Sequence, residues 1–176
     1  VKSQNLLANP GFEEFNICVE YRALCAPEAW FNIPATNILV NSRVAPDPVS
    51  GHMLLIFPVG NVMANFNKPR FAYTGFCCPL IAGQKYTLTF FLNTATVNFK
   101  QLAFYFTDTE PSSGNVNQLI KTPDLIITPQ HIDSNYNQPW KHIKCNYIAT
   151  GKEKFFIMGT AGIPPVVYDM KDAMKI

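Results

Sequence analysis

The chain has 176 residues, 48% of them hydrophobic but only 15% charged, and a formal net charge of +2 at pH 7. That length can bury a substantial core in one domain, and so small a net charge gives no ground for nucleic-acid binding or for attraction to an anionic membrane. No stretch has the length of an apolar transmembrane helix, and no basic segment followed by an apolar run opens the chain, so any secretion signal is expected to have been removed or to lie outside this sequence.

Fourteen Phe and seven Tyr favour strands over helices, and fourteen Pro with nine Gly supply the breaks between them. Asn9-Pro10-Gly11 is a turn that ends a short strand at Asn5–Ala8 and aims Phe12 at the core and Glu13 away from it. Cys18–Pro27 reads as an irregular loop, and Trp30 as the first large core anchor. Short strands are expected at Ile38–Val40, at His52–Phe57 after the Ser50-Gly51 turn, and within Arg70–Leu80.

Lys85–Leu92 is the clearest strand, with Tyr86, Leu88, Phe90 and Leu92 on one face and Lys85, Thr87, Thr89, Phe91 and Asn93 on the other. Gln101–Thr107 repeats the alternation, with Leu102, Phe104 and Phe106 inward and Ala103 and Tyr105 outward. Further strands are expected in Gln118–Ile127, Trp140–Ala149, Lys154–Gly159 and Val166–Ile176. In Trp140–Ala149, Ile143, Cys145 and Tyr147 share one face and His142, Lys144 and Asn146 the other. Some eight to ten short strands at turn-limited spacing, with no amphipathic helix, predict an all-β antiparallel sandwich or jelly roll spanning residues 1–176 as one domain.

The residues that carry enzyme chemistry are sparse. There is no Gly-x-Ser-x-Gly elbow, no His-Glu-x-x-His, no P-loop and no dinucleotide fingerprint. Glu13 and Glu14 are adjacent, so on an extended backbone they point to opposite faces and cannot flank one bond. His52, His131 and His142 are scattered. Of the five cysteines, Cys145 falls on an apolar strand face where a thiol is inert, and vicinal Cys77-Cys78 should place one thiol inside and one outside. Cys18 and Cys25 could form a local disulfide suited to an exported protein, or remain free buried thiols, and the odd total leaves at least one cysteine unpaired within the chain.

Asp172 is more informative, because on an extended strand it shares a face with Met170 and Met174. A carboxylate among apolar neighbours needs a partner or a cation. Should the terminal strands lie side by side, Asp172 could approach Glu13 around a hard cation whose shell is completed by carbonyls at Gly11 or Ser50-Gly51. The alternative is that both carboxylates lie exposed at a sheet edge.

The order of motifs resembles galactose-binding-like jelly-roll domains, which include many carbohydrate-binding modules. The resemblance rests on Asn5-Leu6-Leu7-x-Asn9-Pro10-Gly11-Phe12-Glu13, on Ser50-Gly51, on Pro79–Phe90, on Trp140-x-x-Ile143 with Tyr147-x-Ala149, and on a final apolar–Asp–apolar strand. The opening segment looks most like domains at the front of secreted or surface proteins of Gram-negative bacteria. What the resemblance implies is a structural Ca2+ held by Glu13 and Asp172 with the Gly11 carbonyl, although Lys171 stands where the family usually has a second acidic residue.

Fold alone does not name a ligand. A sugar-binding face needs aromatic rings beside hydrogen-bonding side chains, and the alternation puts Phe91, Tyr105 and Phe156 outward with Thr87, Thr89, His142, Lys144 and Asn146 nearby. That is more outward aromatic surface than a solvated sheet needs, unless a loop or partner covers it or the strand phase slips by one. The expected function is a non-catalytic carbohydrate-binding module of an exported or cell-surface protein, holding other domains of a larger parent on a glycan. The alternative is an adhesion or structural domain that binds protein.

Overall fold

In a computed structural model of the chain, the residues described are 5–14, 29–33, 39–40, 49–51, 55–57, 71–93, 101–111, 123–128, 140–160 and 174–175. Among them there is no helix, and ten strands follow in order. These are β1 (Phe31–Ile33), β2 (Leu39–Val40), β3 (Leu55–Phe57), β4 (Phe71–Gly75) and β5 (Lys85–Asn93), then β6 (Leu102–Thr107), β7 (Leu125–Ile127), β8 (Trp140–Ile148), β9 (Phe155–Thr160) and β10 (Met174–Lys175). They form two five-stranded sheets with the orders β1-β4-β9-β6-β7 and β2-β3-β10-β5-β8, and every pairing between strands is antiparallel.

The longest ladder pairs β5 with β8 from Lys85↔Ile148 to Asn93↔Trp140. Because side chains alternate along each strand, this register puts Leu88, Phe90, Leu92, Ile143 and Cys145 against the first sheet, where they join one core with Ala72, Leu102, Phe104, Phe156 and Met158. Two aromatic contacts tie the sheets together: Phe90 with Phe104 at 5.4 Å, and Phe106 stacked on Tyr147 at 3.8 Å and 7°. The molecule is therefore a β-sandwich with its core between the sheets.

The first sheet is buried on its other face as well. Phe71, Tyr73, Ala103, Tyr105 and Ile157 form a second cluster, and Tyr105 is only 6% exposed. Burial pushes the Tyr105 hydroxyl pKa up, with the Asp124 charge adding to it. Tyr105 does point away from the main core, as the alternation predicts, but it is packed rather than open. Phe156 is a correction of phase: it lies in the main core at 2% exposure, near Trp30, Phe104 and Phe106, while Ile157 takes the opposite face. Phe155 and Phe156 are both apolar, so sequence pattern leaves the phase of β9 undetermined, and the pairing with β4 and β6 decides it.

The opening segment closes one end of the core. Phe12 and Trp30 are buried with ring centroids 5.1 Å apart, and the Trp30 indole N–H donates to the Asn9 carbonyl at 3.0 Å. The Asn9 side chain donates to the Glu14 carbonyl and accepts from the Glu14 amide, which cinches residues 9–14 into a loop. The left-handed residues here are Asn9 (φ 43°) and Phe12 (φ 61°), whereas the sequence favours Gly11 for that role. A positive φ is unfavourable for a ring as large as Phe, and burial of Phe12 against Trp30 offsets the strain. In place of the strand expected at Asn5–Ala8 there is a single bridge, Leu7 to Phe76, with the Cys77 amide donating to the Leu6 carbonyl.

Cys77 and Cys78 are both exposed, which corrects the inside–outside expectation. The strand ends at Gly75 and the chain bends at both cysteines, so alternation does not apply there. Cys145 is half-buried and burial raises its thiol pKa, as its apolar face predicts. Cys18 and Cys25, His52 and His131 lie outside the described residues.

Candidate functional site

The outward face of the β5–β8 ladder is the candidate site. Outward positions pair across it as Lys85↔Ile148, Thr87↔Asn146, Thr89↔Lys144 and Phe91↔His142, and all eight side chains are exposed. Phe91 is 42% exposed and its ring lies 5.0 Å from the His142 imidazole, tilted by 32°, which makes an exposed aromatic pair across two strands. Beside it the Thr87 hydroxyl donates to the side-chain carbonyl of exposed Asn146 at 3.1 Å. Asn93, buried opposite Trp140, closes this row at one end.

Phe91, His142 and Lys144 thus share one open face, while Tyr105 and Phe156 do not reach it, since both belong to the first sheet. Lys85 and Ile148 extend the row beyond the aromatic pair. Their place was legible from the alternation of β5 and β8, but only the register shows that they face each other.

A second polar cluster holds the end of the sandwich. The Glu153 carboxylate is 3% exposed and accepts four hydrogen bonds, from the Tyr147 hydroxyl (2.7 Å), the Thr150 amide (2.6 Å), the Thr150 hydroxyl (2.8 Å) and the Gly151 amide (2.9 Å). Burial by itself raises its pKa, yet the bonds from Tyr147 and Thr150 outweigh that and hold it down at about 2. Burial and the bond to Glu153 push the Tyr147 hydroxyl pKa well up. Gly151 has φ +85°, and a Cβ there would stand 2.9 Å from that of Ala82, so the 150–153 turn needs glycine to approach the 81–84 turn. Both oxygens of the Glu153 carboxylate are taken by these donors, and the cluster works as a structural clasp. Thr150-x-x-Glu153 is the one sequence signal that could have revealed it, a hydroxyl and a carboxylate spaced to serve the same turn.

Of the expected metal ligands, Gly11 and Glu13 are described and Asp172 is not. The segment 5–14 bridges to the end of β4, whereas β10 lies between β3 and β5, so these terminal segments sit on different sheets. Glu13 reaches the turn before β3, the strand that pairs with β10. Its carboxylate rests on Gly51 (φ +68°), where a Cβ would lie 2.8 Å from the Glu13 carboxyl carbon, and the absent side chain is what makes room. Among the described residues no three His, Cys, Asp or Glu side chains cluster as metal ligands. One carboxylate over a glycine turn is an oxygen-donor arrangement of the kind a hard cation takes.

No protein-family model matches the chain, and no curated protein matches it. Its fold is similar to the crystal structure of a cleaved adhesin domain of Lys-gingipain from Porphyromonas gingivalis, with a TM-score of 0.55 and 13% identity over 93% of this chain and 90% of that one. It is also similar to a second cleaved adhesin domain of Lys-gingipain, with a TM-score of 0.54 and 11% identity over 92% of each chain. At such identities the likeness is one of fold, an antiparallel β-sandwich shared with bacterial adhesin domains.

Proposed function

We propose that the chain is a non-catalytic adhesion domain of a secreted or cell-surface protein of a Gram-negative bacterium, a single galactose-binding-like jelly roll joined to other domains of its parent. The fold shared with gingipain adhesin domains supports the adhesion reading. The observation that carries the binding site is the exposed Phe91–His142 pair, continuous with a row of hydroxyl, amide and ammonium groups on the same face. That combination also supports a glycan as the ligand, since a sugar offers a C–H face to the rings and hydroxyl edges to Thr87, Thr89 and Asn146. Affinity electrophoresis in gels containing polysaccharides should retard the wild type, and Phe91→Ala should lose about 1–2 kcal/mol of binding, or roughly ten-fold. Retention on immobilised host protein alone, lost in Phe91→Ala, would favour the protein-binding alternative. Retention nowhere, or retention indifferent to Phe91, would remove this face from function.

Glu13, with the Gly11 carbonyl and Asp172, is proposed as a structural Ca2+ site that would pin the opening turn to the strand after Gly51. A thermal melt with Ca2+ and with chelator checks this. Binding to the native state alone raises the midpoint, by about 2.7 kcal/mol of stability at a hundred-fold excess over Kd, and equal midpoints would refute it.

A further inference from the structure

We infer that the β5–β8 face is built for an acidic glycan, one that carries carboxylates along its chain, rather than for a neutral polysaccharide. This rests on the glycan reading of that face and adds the chemical class of the ligand.

The outward positions of β5 and β8 carry two lysines, Lys85 and Lys144, one histidine, and no Asp or Glu. Both lysines are exposed, and among the described residues no acidic side chain pairs with either. The described carboxylates lie elsewhere. Asp108 and Glu110 follow β6 and Asp124 precedes β7, all on the first sheet. Glu13 and Glu14 belong to the opening turn, and Glu153 is committed to Tyr147, Thr150 and Gly151. Among the described residues, the outward row of the β5–β8 ladder is therefore basic and carries no carboxylate, although the whole chain carries only +2.

The spacing suits a linear ligand. From Phe91↔His142 to Lys85↔Ile148 the row runs six residues along β5, about 20 Å at a rise of roughly 3.4 Å per residue. Lys144 lies one pair from the aromatic end and Lys85 marks the far end, so a chain seated on the Phe91–His142 surface passes both ammonium groups. Thr87, Thr89 and Asn146 lie between them to meet hydroxyls. An acidic polypeptide would satisfy the lysines, but has no need of a hydroxyl and amide ladder beside a flat ring.

The test uses affinity electrophoresis with three probes: polygalacturonate, its methyl ester and poly-glutamate. The first two share a sugar backbone and differ in charge, and the third carries carboxylates without sugar. Wild type should be retarded by polygalacturonate and little by the ester or by poly-glutamate. Lys144→Ser and Lys85→Ser should each weaken that retention about five-fold at low salt, the effect of one exposed ion pair, and high salt should shrink the difference. Both sites are exposed, so matching melting curves will show that the variants are folded. Equal retention on the ester with both lysine variants unaffected would overturn the acidic class while leaving the glycan platform standing. Retention on poly-glutamate equal to that on polygalacturonate would overturn the sugar. Retention by polygalacturonate that Phe91→Ala leaves intact would be bulk charge and would overturn the site.

Discussion

Glu153→Gln is expected to destabilise the native state by about 2–3 kcal/mol at pH 7 and to flatten the loss of stability in acid. The wild-type carboxylate collects four donors in a site only 3% exposed, two of them backbone amides of its own turn. Glutamine keeps one carbonyl oxygen but presents an amide N–H2 where one carboxylate oxygen stood. It therefore opposes donor to donor at Gly151 or at Thr150. The pH dependence follows from the carboxyl being held at about 2 in the folded state against an ordinary 4.5. A depressed pKa contributes stability that is complete above the ordinary value and is lost as pH falls toward the folded one. The window is thus about pH 5 to 2, with about 3 kcal/mol at stake from the cited shift. Asp124 works in the opposite direction, because burial and the nearby Glu153 charge raise its carboxyl pKa against the Phe106 amide bond that lowers it. The difference between wild type and variant isolates Glu153 from such groups. Urea unfolding at pH 7, 5 and 3 should show the two converging as pH falls, and curves that stay parallel would refute the clasp.

Phe156→Ala should cost about 3–5 kcal/mol, the usual loss for an aromatic removed from a packed core. Its ring is 2% exposed, lies 5.7 Å from Phe104 and 5.6 Å from Phe106, and meets Trp30 edge-on at 6.4 Å. These neighbours come from β6 and from the segment before β1, so the cavity would sit where strands and opening turn converge. Phe91→Ala, on the open face, should change stability by no more than about 0.5 kcal/mol. Urea midpoints of the two variants therefore distinguish a core ring from a ligand-facing one. A Phe156→Ala protein of native stability that had lost its ligand would return that residue to the surface.

The same two residues show how much the sequence alone could say. Phe91 alternates with Leu88, Phe90 and Leu92 in a way that admits one phase, because its outward neighbours are Lys85, Thr87 and Thr89. The β5–β8 face was consequently legible, including His142 and Lys144. Phe156 sits in Phe155-Phe156-Ile157-Met158, where both faces are apolar and no polar residue marks the outside. Tyr105 was placed on the correct side of its strand, yet that side of the first sheet is itself buried with Phe71, Tyr73 and Ile157. Alternation reports which side a residue takes and cannot report whether the side is covered. Glu153 escapes alternation for a different reason: it sits in a turn outside any strand, and its four donors lie within the six residues before it.

Composition, turn residues and period-two alternation determined an all-β antiparallel chain, the cores of its longer strands, and the buried roles of Phe12 and Trp30, because these depend on local backbone preference and on which side chains avoid water. Tertiary structure decided the register of β8 on β5, the inward phase of β9, the covering of Tyr105 and the seating of Glu13 on Gly51. Each of these depends on contacts between residues far apart in the chain, and local sequence pattern carries no information about the distance between them.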